Sequence, residues 1–170
     1  MTVHSENPFT VPVDRRDPVR RLRGRLAAPV TIITAAAEPP AGLTVSSFFV
    51  VEGEVARAAA LVGPGADVLD AAEESGAFIA HILTEEGRRL ADIFAGLRPS
   101  PGGVFATTEI EETRWGPRLM EVDDWAGCRL EEIRPLGDQH VMVGVIEDLE
   151  VSDMSGPLIY FRGEYRKLQR

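Results

Sequence analysis

Three hydroxyls fall within four residues in Thr44-Val45-Ser46-Ser47, just after the turn Pro39-Pro40-Ala41-Gly42. Hydroxyls and backbone amides gathered so closely can hold a phosphate, or the polar edge of a planar ring, without a glycine loop or a helix N-terminus. The same residues can also pair across neighbouring strands of a sheet, and spacing alone favours that plainer use. Other reactive side chains are scattered. His4, His81 and His140 lie far apart with no C-x-x-C or H-E-x-x-H companion, so no metal-ligand spacing exists. There is no G-x-x-x-x-G-K-[ST] phosphate loop and no G-x-S-x-G nucleophile elbow, and Gly63-Pro64-Gly65 lacks the third glycine of a dinucleotide-binding turn. Hydrolytic and metal chemistry are weakly supported. Such a chain is expected to borrow its chemistry from a cofactor.

Composition narrows the partners. With 170 residues, 44% hydrophobic and 26% charged, the chain has the make-up of one globular domain. A net charge of -9 repels phosphate backbones and anionic lipid, which argues against nucleic acid and membrane surfaces. The six arginines between Arg15 and Arg25 form the one basic stretch, read as the solvated face of a short helix rather than an anion-binding arm. Cys128 is the single cysteine, so no intrachain disulfide can form. The apolar run Leu26 to Ala37 has the outline of a secretory signal. Pro29 and the β-branched Val30, Thr31, Ile32 and Ile33 instead mark it as a core strand of a cytoplasmic protein.

The elements that would position these residues follow from local pattern. Residues 1–14 are expected to be a flexible arm, with the domain spanning 15–170. Asp17-Pro18 reads as an N-cap and first helical residue, followed by an apolar stripe at Val19, Leu22 and Leu26. Strands are expected at about 30–35, 43–51, 58–62 and 77–83. Asp67 is expected to cap a second helix, stopped by Gly76. Thr84 is expected to cap a third, with Leu90, Ile93, Phe94 and Leu97 on its core face. From 104 onward strands dominate, at roughly 104–111, 117–121, 124–133, 140–151 and 157–167. In the long 140–151 strand Val141, Val143, Val145, Leu149 and Val151 share one face by alternation. Strands joined by turns, with helices inserted between them, describe a mainly β barrel with peripheral helices.

Six segments in order give the chain a family resemblance. They are Arg25-Leu26-Ala27-Ala28-Pro29-Val30-Thr31-Ile32-Ile33-Thr34, Gly42-Leu43-Thr44-Val45-Ser46-Ser47-Phe48, Phe78-Ile79-Ala80-His81-Ile82-Leu83, Leu90-Ala91-Asp92-Ile93-Phe94-Ala95-Gly96, Gly137-Asp138-Gln139-His140-Val141-Met142-Val143-Gly144 and Leu158-Ile159-Tyr160-Phe161-Arg162-Gly163-Glu164-Tyr165. Together they resemble the flavin reductase-like family, the FMN-binding split β-barrel proteins, over about residues 17–168. The resemblance implies a homodimer with FMN, or FAD, in the groove between two barrels. It implies hydride transfer from NADH or NADPH to the flavin, and delivery of the reduced flavin to a separate monooxygenase. Thr44, Val45, Ser46 and Ser47 would line the flavin, Gly63 to Asp67 would lie near its phosphate and His81 near its ring. Phe94 would close the pocket or pack in the core. Tyr165 would reach the partner's flavin or simply end the sheet.

Three departures stand out within that resemblance. Gln139 takes the family's histidine position on the nicotinamide side, and His140 follows one residue later, where alternation turns it to the other face. Gly53-Glu54-Val55-Ala56 replaces the usual D-P-P. Asp67 brings a carboxylate to the loop expected to meet the phosphate. These changes keep two alternatives open: a flavin-binding redox protein with little NAD(P)H reductase activity, and a cofactor-free interaction barrel.

Overall fold

The computed structural model describes residues 17–154 and 156–168, so the expected arm at 1–14 lies outside the described residues. Helix α1 (Pro18–Arg23) begins as its sequence dictates. The Asp17 carboxylate accepts from the Val19 N–H at 2.8 Å, and Pro18 occupies the first turn, where a missing N–H costs nothing. Its apolar stripe behaves otherwise. Val19, Leu22 and the following Leu26 are all exposed, and no residue of α1 is buried.

The chain continues through β1 (Ala28–Pro29), β2 (Thr31–Ala35), β3 (Ala41–Val45), β4 (Phe48–Val51) and β5 (Arg57–Val62). Helix α2 (Asp67–Ser75), β6 (Ala77–Ile82), a 3-10 turn (Glu85–Gly87) and helix α3 (Arg88–Phe94) follow. The remainder is β7 (Ile110–Thr113), β8 (Gly116–Leu119), β9 (Trp125–Leu136), β10 (Gln139–Glu150), β11 (Ile159–Phe161) and β12 (Glu164–Arg166). Seven strands form one antiparallel sheet in the order β3-β2-β6-β9-β10-β5-β4. Its two edge strands, β3 and β4, are consecutive in sequence and joined only by Ser46 and Ser47. Three Cα–Cα steps reach at most about 11 Å, so the edges must come together and the sheet must curl into a barrel. The Leu61 N–H donates to the Ser47 carbonyl at 2.9 Å, fastening the link to β5. Because β3 and β4 do not pair with each other, the barrel stays split along this seam.

Alternation in the strands builds two cores. The barrel interior takes Ile33, Ala35, Ala41, Val45, Ala58, Ala60, Phe78 and Met142, plugged by Val68, Leu69, Ala71 and Ala72 of α2. Outside the sheet, Leu90, Ala91, Ile93 and Phe94 of α3 cover Val30, Ile32, Leu119 and Leu158. Strand β2 lies between the two cores, which is why all five of its residues are buried. Fully burying a side chain such as Ile32 or Phe78 contributes roughly 1.5–3 kcal/mol.

Five local expectations need correction. Asp67 is the first residue of α2 rather than its cap; Ala66 holds the cap position, with no side-chain bond. Thr84 makes no capping bond either, and a 3-10 turn precedes α3. Helix α3 ends at Phe94 because Gly96 adopts the left-handed conformation (φ 69°), leaving Leu97 exposed beyond it. Residues 104–109 are turns, so the strand expected from 104 starts only at Ile110. In β10, register irregularities at Val143/Gly144 and Ile146/Asp148 interrupt the alternation. Beyond Val145 the strand also loses β5 from its flank, so Leu149 and the following Val151 are exposed.

Candidate functional site

Ser46 and Ser47 stand at the point where the sheet closes. Both are half-buried, and neither hydroxyl is committed to a bond among the described residues. Val45 precedes them inside the barrel, in register with Thr31 of β2. Through the Leu61–Ser47 bond the link adjoins the end of β5, where Gly63-Pro64-Gly65-Ala66 leads into α2 at Asp67. Gln139 reaches the same place from β10. Its Oε1 lies 3.8 Å from where a Cβ on Gly63 would stand, and the Gln139 side chain is exposed. His140 pairs in register with Val62 on the alternate face, and its Nδ1 is buried with no partner among the described residues. Three predicted groups, widely separated in sequence, therefore meet at one end of the seam: Val45 to Ser47, Gly63 to Asp67, and Gln139 with His140.

The other predicted residues lie elsewhere, spent on structure. His81 was expected near a ring, yet it is 0% exposed. Its Nδ1 lies 3.2 Å from the Ile32 carbonyl, and its Nε2 accepts from the Leu119 N–H at 3.0 Å. Those partners require a neutral ring protonated on Nδ1. Burial, with a smaller push from Arg118, holds its pKa down to about 3. It ties β6 to β2 and β8 and offers no surface to a ligand. Phe94, 2% exposed, packs edge-on against Phe105 at 5.1 Å between centroids and fills the space over Gly42. Of the two uses left open for it, core packing is the one found. Tyr165 stacks edge-on with Tyr160 under the Arg88 guanidinium, and burial together with the Asp92 carboxylate pushes its hydroxyl up to about 12. The Thr44 hydroxyl donates to the Ala91 carbonyl at 2.9 Å, joining β3 to α3. Its side chain faces away from the barrel interior that holds Val45.

One contributor to the seam escaped sequence reading: the Leu61 amide, which carries no side-chain signature at all. Asp70 shares the first turn of α2 with Asp67, and both are exposed. No group of three or more His, Cys, Asp or Glu able to hold a metal occurs among the described residues. No helix there is long and apolar enough to cross a membrane.

The split barrel, its α2 plug and the hydroxyl link at its seam define a class, and comparison with known proteins identifies it. Residues 23–169 match the flavin reductase like domain, and the chain belongs to that family. It is 32% identical over 145 residues to the reductase component of 4-hydroxyphenylacetate 3-monooxygenase from Thermus thermophilus, covering 85% of this chain and 91% of that one. An NADH-dependent FMN reductase from Streptomyces nodosus subsp. asukaensis is 27% identical over 164 residues, covering 91% and 85%. Among solved structures, the flavin reductase PheA2 in its native state superimposes with a TM-score of 0.82 at 23% identity, covering 91% of this chain and all of that one.

A flavin fits this site in part. The free hydroxyls of Ser46 and Ser47 suit the polar edge of the ring or its ribityl chain. The loop after β5 suits a phosphate poorly, because it presents Asp67 and Asp70 with no cation among its residues.

Proposed function

We propose that this chain is an NAD(P)H-dependent flavin reductase that takes FMN or FAD at the barrel seam and supplies reduced flavin to a partner monooxygenase. The observation that carries this reading is the pair of uncommitted hydroxyls on the link that closes the barrel, beside the β5 loop and Gln139. Support comes from the relatives described as a monooxygenase reductase component and as an NADH-dependent FMN reductase. Bound flavin supplies the hydride-accepting chemistry, which asks no acid, base or nucleophile of the protein. Ser46 and Ser47 would orient the polar edge of the ring, Val45 would anchor their backbone in the core, and Gln139 with His140 would border the nicotinamide.

The reading includes a homodimer. Edge strand β4 exposes Phe49, Val50 and Val51, with Val55 nearby, and α1 exposes Val19 and Leu22, with Leu26 just beyond its end. An uncovered apolar edge invites pairing with another chain, and a second copy is the occupant we assign to it. A reducing, cytoplasmic setting suits the single buried cysteine, Cys128, whose thiol burial pushes up to about 12.

A second reading, a flavin-binding redox protein with little NAD(P)H turnover, is favoured by two departures from the family resemblance: Gln139 stands where it expects histidine, and Asp67 brings a carboxylate to the loop expected to meet the phosphate. The deciding measurement is visible absorbance of the protein with added FMN, followed by NADH without oxygen, beside turnover with excess flavin. Bleaching of bound or turning-over flavin is the expected result. Bound flavin that NADH leaves oxidised would select the second reading, and absence of both binding and turnover would leave a barrel without cofactor.

A further inference from the structure

The family resemblance sets the flavin phosphate beside Gly63 to Asp67, and the inference here rests on the flavin reading proposed above. Gly63-Pro64-Gly65-Ala66 brings no hydroxyl, amide or cationic side chain. Gly65, at φ +72°, has nothing within 4 Å of its missing Cβ, and the side-chain atom nearest the Cβ position of Gly63 is the uncharged Oε1 of Gln139 at 3.8 Å. Helix α2 then opens with Asp67 and Asp70 in its first turn, both exposed, and no side chain caps it. Free amides and the helix dipole at such an end attract one anion. Two carboxylates already occupy that favourable field and oppose another. The basic residue of the preceding strand, Arg57, stands at the opposite end of β5 and is paired with Glu131 at 2.6 Å. The net charge of -9 adds a background that disfavours a dianion anywhere on this surface.

Riboflavin has the same ring and ribityl chain but no phosphate, and meets none of this opposition. We infer that the chain discriminates against the flavin phosphate, with Asp67 as the determinant, so that riboflavin binds at least as tightly as FMN and phosphorylated flavin is held loosely enough to exchange. Asp67 then acts as a specificity residue rather than a phosphate ligand.

The test is equilibrium binding of riboflavin and of FMN to the full chain, followed by quenching of flavin fluorescence at low and at moderate salt. In the unaltered chain, FMN should bind no more tightly than riboflavin. Its affinity should rise with salt, because screening weakens a repulsion. Asp67→Asn should tighten FMN about three- to tenfold and leave riboflavin unchanged. Glu74→Gln, exposed near the other end of α2, should change neither. FMN binding more than about tenfold tighter than riboflavin, with affinity falling as salt rises, would overturn the inference while upholding the flavin site. An equal response of both flavins to Asp67→Asn would also overturn it. Failure of both flavins to bind would remove the site itself and the inference with it.

Discussion

The seam of the barrel and the α3 side of the sheet carry similar residue types but use them in opposite ways. On the α3 side every predicted residue is spent: His81 on two backbone groups, Thr44 on Ala91, Phe94 on Phe105, and Tyr165 on Tyr160 and Arg88. At the seam, Ser46 and Ser47 keep their hydroxyls uncommitted and Gln139 is exposed. Residue identity alone does not separate a binding group from a structural one. What separates them is whether the fold has already satisfied the polar atoms, because a buried group must be paired and a binding group must not be.

The sharpest way to break this contrast is His81→Leu. It leaves the buried Leu119 N–H without its acceptor and should cost about 2–4 kcal/mol of stability, read by urea denaturation at pH 7. The pH dependence adds an independent check. The folded pKa of about 3 lies below the ordinary 6.5, so on acidification the unfolded chain takes up this proton first. The stabilisation is therefore complete above pH 6.5 and is lost between there and about 3, at up to about 1.4 kcal/mol per pH unit. Glu131 and Glu147, whose pKa values are lowered by their hydrogen-bond partners Arg57 and Trp115, also lose stabilisation in acid, so the slope is judged by difference. Wild type should lose stability more steeply than His81→Leu between pH 6.5 and 4. Equal slopes would return His81 to the list of solvent-reachable groups.

Gly42→Ala probes the same side by overpacking. A Cβ there would lie 2.6 Å from Cε1 of Phe94, whose ring is fixed by Phe105, so α3 must shift. A loss of about 1–3 kcal/mol is expected, with flavin affinity retained, since the Ser46–Ser47 link lies beyond the other end of β3. Loss of flavin binding without loss of stability would make Phe94 a pocket residue after all.

Ser46→Ala with Ser47→Ala should do the reverse. Removing two hydroxyls that bond nothing among the described residues should leave the melting temperature unchanged and weaken flavin binding about tenfold. Thr44→Ala should lower stability by about 1 kcal/mol through its lost bond to Ala91, with a smaller effect on flavin. Comparable affinity losses in the two variants would erase the distinction between the residues.

Local chemistry was legible where local chemistry decides. Asp17-Pro18 starts α1 and Gly76 in the left-handed conformation stops α2, each from a preference expressed within one turn. The barrel was legible from the strand-rich pattern and through the family resemblance. The order of strands within its sheet was not, since β3 and β4 end up as opposite edges, which no window of sequence records. His81 shows the same limit. Its Nε2 partner arrives from Leu119, 38 residues later, and only the assembled sheet turns it from candidate ligand to core group. The bulges in β10 similarly replace simple alternation with a pattern set by β9 and β5.

The finest test of the contrast is Gln139→His. Gln139 stands exposed beside Gly63, its Nε2 donating to the Asp138 carbonyl at 3.2 Å. His140, the chain's own imidazole in this region, projects to the alternate face with Nδ1 buried, so it does not stand in for a group at position 139. An imidazole at 139 would occupy the open side of the seam, where the resemblance sets the nicotinamide. NADH turnover at saturating flavin should then rise by about threefold, roughly 0.6 kcal/mol of transition-state stabilisation, with flavin affinity unchanged. The gain should be seen in kcat as well as kcat/KM, since a contact made equally to bound NADH and to the transition state would lower KM alone. Unchanged or reduced turnover would mean that Gln139 is no impediment, and that the open side of the seam meets the nicotinamide through other groups.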